Sequence, residues 1–170
     1  MKEFDYDLDY KELDFSIEEN RKLYRIGRGE QGVLLVRPYT NIICNHWRFK
    51  TPKIAIQSAN KIFSMYLDYR DAGDFIGMDM CRKFLEMGFT RSRRYANHHT
   101  GKKYDDKGNV RPQEPDHMTC KYAESARIFK HVRDIVAKSE DYVRMRKEWR
   151  SSEYDLTYYI ALEPDITWED

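Results

Sequence analysis

A hydroxyl residue followed by proline, Thr51 then Pro52, is the firmest structural instruction in this chain. A threonine side chain at the start of a helix accepts from an otherwise orphaned amide, and proline at the first helical position lacks only an N–H that would have no helical partner. From Pro52 to about Arg70, Ile54, Ala55, Ala59, Ile62, Phe63, Tyr66 and Leu67 recur at three- and four-residue steps, the stripe of a helix that faces a core, and Gly73 stops it. Such a stripe must be covered by other apolar faces. The sequence predicts a second helix from near Asp74 to Met87, burying Phe75, Met78, Phe84 and Leu85, with Gly88 as its C-terminal glycine. Thr90 caps a third, short helix through about Asn97. A further helix runs from Lys121 to about Ala137 on Ala123, Ala126, Ile128, Phe129, Val132 and Ile135, and Ser139 caps another to Arg150.

The N-terminal part is read differently. Phe4, Tyr6, Leu8 and Tyr10 alternate with acids, the period of an extended arm lying on the core. Ser16 and Glu19 form a capping-box pattern for a short helix over about Ile17 to Tyr24. Val33, Leu34, Leu35 and Val36 read as a buried strand closed by Pro38, and LTYYIAL as its partner. Residues 39–51 are either a loop or one helical turn. The expected fold class is therefore mainly α or α+β, with about six helices around one core and a small sheet pairing 33–37 with 156–162. One domain over 1–170 is expected, with an acidic arm over 1–15, a long loop over 99–119 and an acidic C-terminal segment over 151–170.

Composition limits the class of protein. Apolar residues make up 41% and aromatics 14% of 170 residues, enough to build a core and too much for a disordered chain. No stretch approaches the roughly 18 apolar residues of a membrane span, and the N-terminus has neither a signal core nor a transit-peptide composition. Cys44, Cys81 and Cys120 are odd in number and widely spaced, as expected of reduced core thiols in a cytoplasmic protein. The net charge of +1 hides an asymmetry: residues 1–20 hold eight acids against Lys2 and Lys11, and residues 151–170 hold six acids and no base, so the middle carries the excess positive charge. Such blocks either attract a polyanion or fold the acidic ends back onto the basic middle.

Three motifs are candidates for function. Arg91, Arg94 and His98 fall at i, i+3 and i+7, followed by Lys102 and Lys103, with Tyr95 and Tyr104 interleaved. Guanidiniums grip phosphate through a planar fork and tyrosine stacks on bases, so the strip suits nucleic acid or another polyanion, while a merely solvated or internally paired face is the alternative. Thr90 would add the amides of a helix start. Gly27, Arg28, Gly29 and Gly32 fit a phosphate-cradling glycine pattern, with Lys50 as the downstream lysine, yet the flanking elements are wrong for a dinucleotide fold and no kinase catalytic motifs follow. A tight turn explains the glycines equally well. His117 and Cys120 have ligand spacing without a second pair, so neither metal nor cofactor is expected. Asp79, Glu86 and Asp105 are the carboxylates available to an enzyme, and the catalytic residues of any reaction stay unassigned.

Taken together, GRGEQGVLLVRPY, HWRFKTP, GMDMCRKFLEMGFTRSRRYANHHTGKKYD and KYAESARIF resemble an uncharacterised family, a domain of unknown function met in tailed phages, bacteria and fungi. The likeness runs from FDYDLDY to the helix near Trp149 and is weakest over LTYYIALEPDITWED. It implies a stand-alone intracellular domain, in the host cytoplasm if phage-encoded, and brings no activity with it. Two functional readings result. One is a non-enzymatic module binding nucleic acid or another polyanion on Arg91, Arg94, Tyr95, His98, Lys102 and Lys103. The other is a small enzyme acting on a phosphorylated metabolite, or a protein-interaction module without ligand. Oligomeric state is left open.

Overall fold

The computed structural model describes the backbone of residues 4–162 and the side chains of residues 4–152. Its helices, in order, are α1 (Glu18–Arg21), α2 (Tyr39–Cys44), α3 (Pro52–Asp71), α4 (Phe75–Asn97), α5 (Lys121–Lys138) and α6 (Glu140–Leu162). α3 begins as its sequence requires: Thr51 Oγ1 accepts from the Ile54 N–H at 3.2 Å, and the chain leaves the helix through Gly73 at φ 68°. Asp74 then starts α4, its Oδ1 accepting from the Gly77 N–H at 3.2 Å. The same carboxylate accepts from Arg21 at 2.8 Å and from the Tyr39 hydroxyl at 2.5 Å, tying α1 and α2 to the start of α4.

α4 is the centre of the molecule, packed by both α3 and α5. Its N-terminal half is buried nearly all round, from Phe75 through Leu85, as a helix covered on several sides must be. It does not break where the sequence predicts two helices. Gly88 and Thr90 both lie inside the continuous helix, and the glycine serves packing rather than termination: a Cβ there would stand 2.3 Å from Cδ1 of Phe129 on α5. Glycine in a helix costs about 1 kcal/mol relative to alanine, and full burial of Phe129 offsets it.

The small sheet is not found: among the described residues the β pairing is an isolated bridge between Tyr104 and Val110. Residues 33–37 form successive turns, with the Val33 N–H on Glu30 O at 3.1 Å and the Leu35 N–H on Gly32 O at 3.0 Å. Thr40 Oγ1 donates to Val33 O at 2.8 Å and accepts from the Val36 N–H at 3.0 Å, so this backbone needs no neighbouring strand. Val33 and Val36 are buried and Leu34 is exposed, the spacing of a helical turn rather than a strand. The proposed partner, 156–162, belongs to α6.

The N-terminal arm also departs from expectation. Phe4 and Tyr10 are buried and stacked at 5.2 Å, while Tyr6 is exposed, so the segment turns back on itself instead of running straight. Ser16 does not cap α1; it donates to Asp14, and Ile17 occupies the cap position. At the other end Trp149 on α6 donates from Nε1 to Tyr24 O at 3.2 Å and packs on Phe75, joining the two ends of the chain to α4. Among the described residues no helix is long and apolar enough to cross a membrane, and the three cysteines are free.

Candidate functional site

The connection between α2 and α3 is held in place by its own polar groups. Ser58 Oγ donates to His46 O at 2.7 Å and accepts from the Arg48 N–H at 3.0 Å, and Trp47 Nε1 donates to Phe84 O at 3.0 Å. This fixes Trp47 and Phe49 with their rings 5.1 Å apart. Tyr95 on α4 and Tyr122 on α5 complete an aromatic cluster, 5.5 and 6.4 Å from Phe49 and 5.4 Å from each other. Together with Arg48, Lys50, Cys44 and Ile54 these rings line a cavity of about 770 Å³ that has no acidic residue in its wall.

Two basic side chains lie in the wall of this cavity and a third lies against one of its rings. Arg48 and Lys50 are exposed in its wall, and the Lys121 ammonium lies 5.0 Å from the centre of the Tyr122 ring. The turn after α4 packs on Tyr95, since a Cβ at Gly101 would stand 2.7 Å from its Cζ; exposed Lys102 is the next residue. An apolar, aromatic concavity with a positive rim has the chemistry to stack a base and hold its phosphates.

The basic strip is only partly on one open face. Arg91 and Arg94 are exposed, and neither pairs with a carboxylate among the described residues. Tyr95 is turned into the aromatic cluster, and Lys103 lies 5.4 Å over the Tyr104 ring. His98 leaves the face: it is 8% exposed, and its Nδ1 is buried without a hydrogen-bond partner. Arg93, on the other side of the helix, is consumed by His117 O and Asn97. Thr90 offers no helix amides, since it lies mid-helix and donates to Glu30 at 2.7 Å.

A family model described as a domain of unknown function, DUF4385, matches residues 5–152. The chain belongs to the DUF4385 family. Comparison with curated proteins and with solved structures finds no match. The matched span of this DUF4385 chain takes in the aromatic cavity and the basic strip.

In this DUF4385 chain the glycine loop serves the N-terminal arm. Gly27, Gly29 and Gly32 all have positive φ, and a Cβ at Gly32 would fall 2.2 Å from the ring of Phe4. The Arg28 amide is taken by Gln31 Oε1 at 2.7 Å, so it is not presented to a ligand. Lys50 lies in the aromatic cavity, whereas Gly27, Arg28 and Gly29 line a separate cavity of about 400 Å³ with Arg82 and Arg146. A shallower one, about 360 Å³, does join Arg28 and Gly32 to Arg91.

The three candidate carboxylates are all engaged. Asp79 is fully buried and accepts from Arg82 Nε at 2.7 Å, from the Tyr142 hydroxyl at 2.7 Å and from the Tyr24 hydroxyl, with Lys83 Nζ at 3.9 Å. Burial alone would favour the neutral acid, but the charges of Arg82 and Lys83 and the hydrogen bonds outweigh it and hold the carboxyl down at about 2. Burial beside this carboxylate pushes both tyrosines well up, so they act as donors. Glu86 accepts from Arg133 at 2.6 Å, and Asp105 accepts from the Lys107 and Asn109 amides of its own turn. In the sequence Trp47 and Phe49 fall within the ambiguous 39–51 segment, and Tyr122 is marked only by its place at the start of a helix after the basic loop.

Proposed function

We propose that this chain binds single-stranded nucleic acid, with bases stacking in the Trp47, Phe49, Tyr95 and Tyr122 cavity and the phosphate backbone running past Lys50, Lys121, Lys102 and Arg94. The observation that carries it is the aromatic cavity with Arg48 and Lys50 in its wall, Lys121 over its Tyr122 ring and no acid in its lining. Base–aromatic stacking is worth about 1–3 kcal/mol per base and tolerates any sequence. An A- or B-form duplex keeps its bases stacked inside and cannot offer them to such a cavity. The engaged states of Asp79, Glu86 and Asp105 give the enzyme reading less support, since none is placed to take a proton from a ligand.

Fluorescence anisotropy with labelled single- and double-stranded oligonucleotides across a salt series tests this. Single strands bind more tightly than duplex, and four phosphate contacts give a slope of log K on log salt of about −3. Tyr122→Ala weakens single-strand binding by about 10-fold, and Lys50→Glu weakens it for every sequence alike. Absence of binding at low salt, or duplex binding as tight as single-strand binding, overturns the proposal.

A further inference from the structure

The long loop closes by bringing His99, at its start, against two metal-ligand side chains at its end, Asp116 and Cys120. The His99 N–H donates to Glu114 Oε1 at 3.1 Å, and the Glu114 N–H donates to Asn97 O at 2.9 Å, which clamps the loop's return onto its start. Asp116 then opens a turn in which the Thr119 and Cys120 amides both donate to Asp116 O at 2.9 Å. Cys120 is the cap residue of α5, so Asp116 and Cys120 are set one turn apart at its head. As a result one ligand atom each from His99, Asp116 and Cys120 lies within 4.8 Å of the others.

Both ring nitrogens of the histidine face carboxylates. Its Nε2 is 2.9 Å from Asp116 Oδ1, on the side of the cluster, and its Nδ1 is 3.9 Å from Glu114 Oε2. A metal-ligating histidine commonly turns its other nitrogen to a carboxylate, which fixes the ring and raises its basicity. We propose that His99, Asp116 and Cys120 form a binding site for a zinc-class divalent ion, with Glu114 as the outer partner of His99. Imidazole and thiolate together favour zinc over magnesium or calcium. Tetrahedral bonds of zinc to nitrogen, oxygen and sulfur put these ligands about 3.3–3.6 Å apart, a distance that small side-chain rotations reach from the observed cluster. Three protein ligands leave the fourth position to water. The sequence pattern points instead to His117 with Cys120, but His117 is not in the group and its Nδ1 is buried away without a partner. The bound ion would pin the loop beside Gly101, which lies on Tyr95, and the site stands whether or not the cavity binds nucleic acid.

The test uses the full, reduced, chelator-treated chain, titrated with Zn²⁺ by calorimetry and with Co²⁺ by absorption. One ion binds per chain, and Co²⁺ shows tetrahedral visible bands with a thiolate charge-transfer band. Cys120→Ser abolishes that band, Cys44→Ser keeps it, His99→Ala weakens Zn²⁺ binding severely, and Glu114→Gln weakens it by about 10-fold. His99 and Asp116 are exposed and Cys120 partly so, and circular dichroism of each metal-free variant checks that it folds. If a variant unfolds, the Co²⁺ spectrum of the unaltered chain decides alone. Failure to bind one ion, a Co²⁺ complex without the thiolate band, or full binding by Cys120→Ser overturns the proposal.

Discussion

Gly88 on α4 and Phe129 on α5 are fitted to each other: the ring lies where a side chain on residue 88 would begin, 2.3 Å from an ideal Cβ. Neither the helix backbone nor a fully buried ring between two helices can move away cheaply. Gly88→Ala therefore overpacks the contact and lowers stability by about 1–3 kcal/mol, even though alanine is the better helix former. Urea unfolding of Gly88→Ala, Phe129→Leu and the double variant checks it. The double variant loses less than the two singles together, and strictly additive losses would show that the residues do not share one space.

Asp79 makes the fold sensitive to acid. Its carboxyl is held at about 2 in the folded chain against 3.8 ordinarily, so the stability it contributes is complete above about pH 4 and disappears as the pH falls through 2. The contribution is about 2 kcal/mol. Asp79→Asn leaves Arg82 and Lys83 facing an uncharged amide and costs about 3–5 kcal/mol at neutral pH. Thermal melts between pH 7 and pH 2 should show a shallower acid decline in that variant than in the parent chain.

Gly29 and Gly32 differ in what surrounds them. Both have left-handed φ, but a Cβ at Gly29 meets nothing within 4 Å, whereas one at Gly32 strikes the Phe4 ring. Gly29→Ala costs only the backbone strain, about 1–2 kcal/mol. Gly32→Ala adds expulsion of the arm, and limited proteolysis should then cut the first fifteen residues faster. Equal proteolysis of the two variants would mean that Phe4 is not what anchors the arm.

Arg94 is exposed on the same helix as Tyr95. Arg94→Glu should weaken oligonucleotide binding to the same degree for any sequence and reduce the salt slope by about 0.7, the loss of one single-strand phosphate contact. Melting temperature should be unchanged, because the side chain is exposed and pairs with no carboxylate among the described residues. An unchanged slope would place Arg94 outside the path of the strand.

α3 and α5 were legible because local and global signals agree there, whereas α4 was read as two helices and the end of α6 as a strand. Thr51, Pro52 and Gly73 punctuate α3, and the apolar spacing of α5 runs its whole length. Gly88 misleads because a glycine that makes room for Phe129 is written like one that ends a helix, and only the partner helix tells them apart. Val33 to Val36 have strand composition, but Thr40 and the turn at Gly32 satisfy their backbone locally, and tertiary context overrides propensity. Of the basic strip, Arg91 and Arg94 are exposed on α4, and Lys102 and Lys103 are exposed in the loop that follows it. His98 is the cap residue where α4 ends, so the helical count no longer describes its direction. The aromatic cavity could not be read from one segment, since its four rings come from the 47–49 connection, α4 and α5. His99 and Asp116 were invisible as a pair for the same reason: a folded loop, not a spacing, makes them neighbours.

Tyr24 and Tyr142 donate to the same carboxylate from opposite ends of the chain, and Trp149 reaches back 125 residues to the Tyr24 carbonyl. On the ribosome, then, α4 emerges with Asp79, Arg82 and Lys83 long before the last of the hydroxyls that shelter them has been made. A nascent chain shorter than about 150 residues lacks the Tyr142 and Trp149 side chains that close over Asp79 and Tyr24, so its centre is left incomplete. Prematurely terminated products would expose the apolar flanks of α4, which marks them for quality-control proteases while the finished protein is spared.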